Sequence, residues 1–419
     1  MGKRSVRERI AATLAIAGCV LIAAAIGCSR PQPASTAAVV APTEPFFDPM
    51  PEVPFDGKIR IASIFPAYGR YAISGEESHR GVRLAEEAAT VIHGREVEVL
   101  YYRTGSEPLD VRYAAASASD AGALAIVGCN ASSLSISIRK LAQTRGIPMV
   151  SNVSSVPGLT YDLETGKNYG FAFRVCHNDL VIGRFLAECA RERLRADSAA
   201  VLYDVSRAYS TNLASTFTQE FLSETYADRP GEVRSYYYAP LETDFRRQLR
   251  EIARFDPDVL FVPGSFTDAS LITSQAEALG LRAILLGGDS WSNRLLFKRG
   301  APKRAVYHAD HWFSEGPFRE LYEQRYDDEP NGARAALAHD ALGVLLQVVE
   351  NLGPLTDRNL SPEGIAHTRD RLRISLSRVV YEGATGTIAF DEYGEPPQHG
   401  VIVKIENGER SLFMDLEGR

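Results

Sequence analysis

The hydrophobic pattern from Lys58 onward alternates between two periods. Short apolar, β-branched runs predict strands buried on both faces, and longer segments with apolar residues every three or four positions predict helices. The predicted strands cover residues 59–65, 97–102, 124–128, 147–151, 169–175, 199–204, 233–238, 259–263 and 283–287. The predicted helices cover residues 78–93, 108–121, 132–145, 243–255 and 268–279, and two more begin at Asp179 and Ser210.

This alternation predicts an α/β fold. Strands of about six residues separated by helices of ten to fifteen residues are typical of βαβ units and parallel sheets. The rhythm restarts after residue 175, which predicts two doubly wound, Rossmann-like lobes. A long apolar helix over residues 333–352 and late strands at 387–390 and 400–405 follow. We expect these to complete the lobes after the chain has crossed between them.

The N-terminus has the pattern of an export signal. A basic start is followed by an apolar run over residues 10–27, and small residues then precede Cys28. This pattern resembles a bacterial lipoprotein signal, in which Cys28 is acylated after residues 1–27 are removed. Cys19 also follows small residues and is a competing acylation site. Cleavage there would leave a second apolar run in the mature chain. An uncleaved transmembrane anchor is the other interpretation, because 18 apolar residues can just span a bilayer.

Composition narrows the classes of function. Residues 28–56 contain seven prolines and predict an extended linker that would hold the folded part away from a membrane. The chain has 46 basic and 53 acidic residues, a net charge of −7, so a nucleic-acid partner is not expected. Five cysteines in 419 residues are too few for a disulfide scaffold.

Catalytic and metal-binding motifs are absent from the sequence. It contains no GxxxxGK[ST], GxGxxG, GxSxG, HExxH or CxxC pattern, so neither a cofactor nor a metal is expected. His308 and His311 would point to opposite faces of a strand, which favours a solvated or hinge-contact pair. We interpret His339 and Asp340 as surface or lobe-packing residues. The expected state of Cys129, Cys176 and Cys189 is buried thiols, although one disulfide is open.

The loops after the predicted strands carry the functional signal. In open parallel sheets, ligands bind outside the carboxyl ends of the strands. Ser132 opens a helix there as a predicted N-cap and would suit a carboxylate. Residues 151–155 supply small hydrogen-bonding groups, whereas residues 204–209 and 287–291 supply acids and aromatics. Together these loops would complement a zwitterion.

Five segments resemble the extracytoplasmic Leu/Ile/Val-type binding proteins of ABC importers. They are residues 58–75 (KIRIASIFPAYGRYAISG), 127–133, 147–160 (IPMVSNVSSVPGLT), 202–209 and 285–293 (LLGGDSWSN). The resemblance covers about residues 57–413 and implies the type I periplasmic-binding fold, in which two lobes joined by three crossovers close on an amino acid. It implies one lobe from residues 57–176 and 312–385, and a second from 177–311 and 386–419.

The same resemblance implies roles for six residues. Ser132 would hold the ligand carboxylate, Val153 would offer its carbonyl to the ammonium, and Ser155 would offer its hydroxyl. Tyr209 would cover the ligand, and Asp289 would pair with the ammonium. Phe266 would add an aromatic wall, with Ser265 as the alternative at that position.

Two departures from the family pattern concern the first lobe. A cysteine pair that some members have is replaced by Ser106 and Ala131, and the turn at residues 66–69 reads PAYG. We therefore expect a different shape for that rim of the pocket.

The resemblance implies a lipid-anchored binding protein outside the cytoplasm that delivers an amino acid to an ABC permease. We expect it to act as a monomer. A ligand sensor of the same fold, binding small amides or urea for a signalling partner, is the alternative. An enzyme is the weakest hypothesis, because no candidate site residue is a histidine or cysteine. A lipoprotein scaffold without a transport partner is a further alternative.

Overall fold

The computed structural model describes residues 56–293, 296, 304–313, 315–397 and 400–415. The predicted signal peptide, Cys28 and all but the last residue of the predicted linker lie outside these residues. The strands in chain order are β1 (Ile59–Pro66), β2 (Val91–Ile92), β3 (Arg95–Thr104), β4 (Ala125–Val127), β5 (Met149–Ser151), β6 (Ala172–Arg174), β7 (Ser198–Asp204), β8 (Glu232–Tyr238), β9 (Val259–Val262), β10 (Ile284–Gly287), β11 (Val306–Asp310), β12 (Val380–Gly383), β13 (Gly386–Ala389), β14 (Val401–Glu406) and β15 (Glu409–Asp415). The α-helices are α1 (Ala72–Ala88), α2 (Pro108–Asp120), α3 (Ser132–Arg145), α4 (Asp179–Glu188), α5 (Ala208–Phe221), α6 (Arg246–Phe255), α7 (Phe266–Ala278), α8 (Pro317–Tyr326), α9 (Arg334–Asn351), α10 (Asp357–Leu360) and α11 (Ile365–Leu376).

The first lobe is built on a sheet with strand order β2-β3-β1-β4-β5-β6. Its long strands are parallel, and only the short β2 runs antiparallel to β3 among the pairings described. Every residue of β1 is buried, with Ile61 opposite Val99 on one side and Ala125 on the other. A central strand that is covered on both faces needs the near-continuous apolar run seen in the sequence.

Helices α1 and α9 pack closely against each other on this sheet. An ideal Cβ at Gly81 of α1 would lie only 1.9 Å from the carbonyl oxygen of Ala335 in α9. A side chain at residue 81 would therefore push the two helices apart. The apolar residues of α9, among them Leu337 and Leu345, are buried in the same core as β1.

The second lobe is built on a sheet with strand order β15-β14-β11-β10-β9-β7-β8. The strands from β8 to β11 are parallel, and β14 and β15 add an antiparallel hairpin at the edge beside β11. Asn407 and Gly408 turn this hairpin with φ of 54° and 86°. Positive φ at both central residues is the geometry that an Asn-Gly sequence favours. The predicted fold of two α/β lobes is confirmed.

The end of the first lobe lies later than predicted. Ile388 and Phe390 are buried in the core of the first lobe, and the carbonyl of Gly394 accepts a hydrogen bond from the backbone N–H of Arg174 in β6. The predicted boundary near Thr385 is therefore wrong, and the third crossover falls between Glu395 and Val401. Strand β13 pairs with β12 in a separate hairpin and does not extend either lobe's sheet.

A buried ion pair connects the first and third crossovers. The Arg174 side chain is 0% exposed and pairs through Nε, at 3.0 Å, and through Nη2 with Oε1 of Glu395. Its Nη1 donates to the carbonyls of Ser154 and Val156, both at 2.9 Å. Glu395 also accepts a hydrogen bond from Asn178 at 2.5 Å. One guanidinium group thus joins β6, the loop after β5 and the third crossover.

The remaining sequence predictions concern cysteines, metals and membrane spans. Cys129, Cys176 and Cys189 are buried, unpaired thiols, in agreement with the expected state. Burial raises the pKa of both Cys129 and Cys189 to about 12. In the part of the chain that the structure describes, no three His, Cys, Asp or Glu side chains group as metal ligands would. Across the same residues, no helix combines the length and apolar character that crossing a membrane requires.

Candidate functional site

Tyr209 and Asp289, two of the predicted site residues, are in direct contact in the second lobe. Tyr209 lies in the first turn of α5, and Asp289 follows β10, so both lie at the carboxyl edge of the sheet. The Tyr209 hydroxyl donates to Oδ1 of Asp289 at 2.8 Å. Ser290 fixes the loop, because its Oγ donates to the carbonyl of Gly264 at 2.5 Å.

Asp289 is a buried acid that is nevertheless ionised. It is 9% exposed, and burial by itself would raise its pKa. The neighbouring His311 ring, the Tyr209 hydroxyl and the charge of Arg334 outweigh burial, so the pKa of Asp289 lies below its usual value. The site therefore presents a negative charge in the interior, where a cation would be held strongly.

His311 connects this acid to the hinge between the lobes. Its Nδ1 accepts the backbone N–H of His177 at 3.3 Å, and its Nε2 lies 3.6 Å from Oδ2 of Asp289. Because Nδ1 acts as an acceptor, the ring proton is on Nε2 and faces Asp289. His177 belongs to the first crossover and His311 to the second, and their rings are 5.5 Å apart. Of the two histidines considered in the sequence, His311 is the hinge contact, whereas His308 is buried within β11.

Ser155 faces the second lobe across the hinge. It is buried in the loop after β5, and its carbonyl accepts the backbone N–H of Asp179 at 2.7 Å. Asp179 begins α4 and is influenced electrostatically by Asp289. The structure therefore brings Ser155, Tyr209 and Asp289 to one region through Asp179.

Ser132 and Val153 lie at the carboxyl edge of the first lobe's sheet, after β4 and β5 respectively. The prediction that Ser132 is an N-cap is wrong. Ala131 is the capping residue, in an extended conformation with φ of −138°, and Ser132 is already in the first helical turn. Among the described residues, no side chain caps α3, so its first N–H groups stay available to an anion. Helix α3 contacts α5, which carries Tyr209, so Ser132 and Tyr209 begin two helices that meet across the lobes.

Phe266 and Ser265 have different positions in the second lobe. Phe266 begins α7 and packs against the lobe's own core. Ser265 is the N-cap of that helix, since its Oγ donates to Asp268 at 2.8 Å and accepts the backbone N–H of Asp268 at 3.3 Å. Neither residue has a described contact with Tyr209 or Asp289.

The comparisons with known proteins agree with this geometry. The family model for periplasmic binding proteins matches residues 58–410.

The chain belongs to the periplasmic binding protein family.

Curated relatives of this family member include two Brucella proteins. The chain is 24% identical over 241 residues to Leu/Ile/Val-binding protein homolog 3 of Brucella melitensis biotype 1, covering 56% of this chain and 62% of that protein. It is 24% identical over 233 residues to Leu/Ile/Val-binding protein homolog 2 of Brucella abortus, covering 54% and 58%. The chain thus spans about three fifths of the length of the curated relatives it matches.

Solved structures of similar proteins extend over most of the chain. The leucine-binding protein LivK of Thermotoga maritima is 29% identical, with a TM-score of 0.74 over 85% of this chain and 98% of that one. LivJ of Streptococcus pneumoniae, solved with isoleucine, is 21% identical, with a TM-score of 0.73 over 86% and 100%. A solute-binding protein of R. palustris, solved with benzoate, is 18% identical, with a TM-score of 0.71 over 86% and 96%. These neighbours are binding proteins rather than enzymes, and the last two likenesses concern the fold alone.

The rim formed by the first loop differs from the family pattern in how it is held. Ser106, which replaces a cysteine, donates from Oγ to the carbonyl of Tyr68 at 2.6 Å and accepts the N–H of Tyr71 at 3.1 Å. A hydroxyl group thus fixes the first loop.

Asp179, His311 and Arg334 were missed as site residues by sequence reasoning. Asp179 has the sequence signature of an ordinary first-turn helix acid, and His311 lies in a crossover that periodicity does not assign to a site. Arg334 begins α9 and donates to the carbonyl of Ser292 at 2.6 Å, across the two lobes. Asp179 and His311 share one signal that was present in the sequence, a position in or beside a predicted crossover.

Proposed function

We propose that this chain is an extracytoplasmic, lipid-anchored solute-binding protein that captures an amino acid between its lobes and delivers it to an ABC permease. A branched-chain amino acid or a related one is the proposed ligand. The observation that carries the proposal is the ionised, buried carboxylate of Asp289, held by Tyr209 and His311 at the carboxyl edge of the second sheet.

The two lobes offer complementary groups to a zwitterion. Asp289 supplies a negative charge for the ammonium from the second lobe. The uncapped start of α3 supplies free N–H groups and the positive end of the helix dipole for the carboxylate from the first lobe. Contacts made by one ligand to both lobes stabilise the closed arrangement alone, which is how binding would drive closure.

The charge of Asp289 supports an amine-bearing ligand over a simple acid, and the neighbours include one of each. LivJ was solved with isoleucine, whereas the R. palustris protein was solved with benzoate, which has no ammonium group. A buried carboxylate such as Asp289 would repel benzoate and attract an amino acid. We therefore favour the amino acid.

The N-terminal segments support anchoring outside the cytoplasm. A family of periplasmic binding proteins indicates an extracytoplasmic location. The basic start, the apolar run and Cys28 fit acylation, and the Pro-rich residues 28–56 fit a spacer between the lipid and the lobes.

Calorimetric titration with each of the twenty amino acids, a few short amides and benzoate tests the function. Asp289→Ala should weaken amino-acid binding by about thirtyfold or more, because losing one member of a desolvated ion pair costs about 2–5 kcal/mol. Ser132→Ala should cost about 1 kcal/mol, since backbone N–H groups still hold the carboxylate. Asp120→Ala, on the surface of the first lobe, is the matched control and should bind as wild type.

Two results would contradict the proposal in different ways. Equal binding by wild type and Asp289→Ala would refute the assignment of Asp289. Binding of amides or benzoate without any amino acid would leave the family intact but refute the substrate class.

A further inference from the structure

Asp179 is a buried acid whose carboxylate oxygens lack a hydrogen-bond partner at normal geometry among the described residues. It is 0% exposed. An acid in the first turn of a helix ordinarily faces solvent and interacts with the free N–H groups of that turn. Here Asn178 accepts the N–H groups of Leu180 and Val181 instead. A role as a helix-start acid therefore does not account for Asp179.

The surroundings of Asp179 place it beside the proposed amine-binding groups. Its backbone N–H donates to the carbonyl of Ser155, on the opposite side of the hinge. Ser155 and Asn212 lie near enough to the carboxyl group to favour its ionised form slightly, and Asp289 opposes that form. Tyr209, the hydrogen-bond partner of Asp289, also lies within the electrostatic influence of Asp179. Asp179 and Asp289 therefore belong to the same small region, contributed by different elements.

We propose that Asp179 is a second carboxyl group of the amine-binding subsite, and that it accepts a hydrogen bond from the ammonium group of the bound ligand. This inference rests on the proposed function of amino-acid capture. An unpaired polar group in the interior is costly, and such groups persist where a ligand later satisfies them. A ligand ammonium has three N–H donors, which match Asp289, Asp179 and the loop after β5, where the carbonyl of Val153 and the hydroxyl of Ser155 lie.

The proximity of two buried acids affects which of them carries a proton. The charged and titratable groups facing Asp179 from the neighbouring elements are Arg174 in β6, Cys176 in the first crossover, Tyr209 in α5 and Asp289 after β10. Burial, then the charge of Asp289, raises the pKa of Asp179 well above its usual value, and Ser155, Arg174 and Asn212 do not cancel this. Two neighbouring buried carboxyl groups do not both ionise readily, and Asp289 is the one held ionised.

Ligand binding should therefore release a proton. Without ligand, the raised pKa of Asp179, caused by burial and then by the charge of Asp289, favours its protonated, neutral form. The positive charge of an arriving ammonium favours the ionised form of Asp179, so the Asp179 proton leaves to solvent while the ammonium keeps its own three. Affinity should then fall as pH is lowered, because binding competes with protonation of Asp179.

The arrangement also defines the ligand class. Three acceptors around one nitrogen favour an unsubstituted primary ammonium. N-methylation removes a donor and adds a methyl group where an acceptor lies. A ligand without an amine would leave both acids unpaired.

The test is calorimetric titration of the full chain at pH 7 in two buffers, phosphate and imidazole, whose ionisation enthalpies differ. L-Leucine is the first probe, and the other nineteen amino acids follow if leucine gives no heat. For wild type, the binding heat should differ between the two buffers, because each buffer takes up the released proton with its own ionisation enthalpy. The difference should correspond to at most one proton released per bound ligand. N-Methyl-L-leucine should bind at least about tenfold more weakly than L-leucine.

Asp179→Asn keeps the shape of the side chain and removes the titrating group. Its binding heats should coincide in the two buffers, and its affinity should fall about tenfold or more. Without ligand, it should melt at the same temperature as wild type or higher, because a costly buried acid has been replaced by a neutral amide. Asp120→Asn is the matched control and should keep wild-type affinity and proton release.

Three results would overturn the inference. Equal heats in both buffers for wild type, together with unchanged affinity of Asp179→Asn, would refute it while leaving amino-acid capture intact. A lower melting temperature of Asp179→Asn with unchanged affinity would show a purely structural role. Failure of wild type to bind any amino acid would refute the proposed function first, and this inference with it.

Discussion

The Arg174–Glu395 pair provides a stability test of how the crossovers are fixed. We consider Glu395→Gln, which keeps the volume of the side chain and removes its charge. Arg174 is 0% exposed and the Glu395 side chain is 11% exposed, so the remaining guanidinium would be a buried charge without a counter-charge. Its Nη1 would keep the carbonyls of Ser154 and Val156, but Nε and Nη2 would lose their charged partner.

The expected loss follows from that geometry. Removing one partner of a buried ion pair typically destabilises a protein by about 3–5 kcal/mol. The single amide oxygen of glutamine can still accept from Thr160 at the Oε1 position, whereas its NH2 group would face the donor of Asn178, so we expect a loss of about 3 kcal/mol or more. Exposed pairs behave differently. Lys404 and Glu406 lie 2.7 Å apart on the surface, and Glu406→Gln should cost less than about 1 kcal/mol.

Urea denaturation measures this difference. Fluorescence of the two tryptophans, Trp291 in the second lobe and Trp312 after the second crossover, reports on the hinge side, and far-ultraviolet ellipticity reports on both lobes. Coincident transitions by the two signals would justify extraction of a free energy of unfolding. A loss below about 1 kcal/mol for Glu395→Gln, similar to the Glu406→Gln control, would refute the argument that this pair holds the crossovers together.

Two further predictions concern export and helix packing. Cys28→Ala should leave an unlipidated precursor of higher mass in a lipid-labelling experiment, and normal maturation would move the modification to Cys19 or exclude it. Gly81→Ala should destabilise the first lobe by about 1–3 kcal/mol, because its methyl group meets the carbonyl of Ala335, and an unchanged thermal midpoint would contradict the close approach of α1 and α9.

Much of the fold could be predicted because buried parallel strands leave a strong trace in sequence. Runs such as β1 and β9 are apolar on both faces, and the helices between them show a clear apolar stripe. Strand β11 contains His308 and Asp310, and α8 and α11 are largely polar, so pattern alone is weak there. The sequence analysis placed the third crossover too early. The alternation of apolar and polar residues in β13 is the same whether the strand joins the sheet of a lobe or a separate hairpin.

The site was predictable in part, and the reasons differ by residue. Tyr209 and Asp289 follow strand ends, where chain order already indicates the edge of a sheet. The environment of Asp179 depends on Ser155, Asp289 and Asn212, which come from distant parts of the chain and meet only on folding.

Local conformation explains a further difference from expectation. His339 and Asp340 are adjacent on α9, yet their side chains share a hydrogen bond of 3.0 Å. The buried Asp340 carboxylate turns toward the backbone N–H groups of Ala384 and Thr385, both at 2.8 Å, and thereby holds the β12–β13 hairpin. Hydrophobic periodicity does not predict such a contact between a helix and a hairpin, because the contact depends on the rotamer of one side chain.

The packing of α9 on the first sheet bears on how the chain is made. Helix α9 covers β4 and β5 and packs against α1, yet all strands from β7 to β11 are synthesised before it. Until α9 emerges from the ribosome, β4 and β5 lack the cover that α9 gives them, so that lobe cannot reach its final packing during most of translation. The proposed export through a membrane suits a chain that has not yet folded. The order of its segments would delay folding until both lobes can be completed together on the far side.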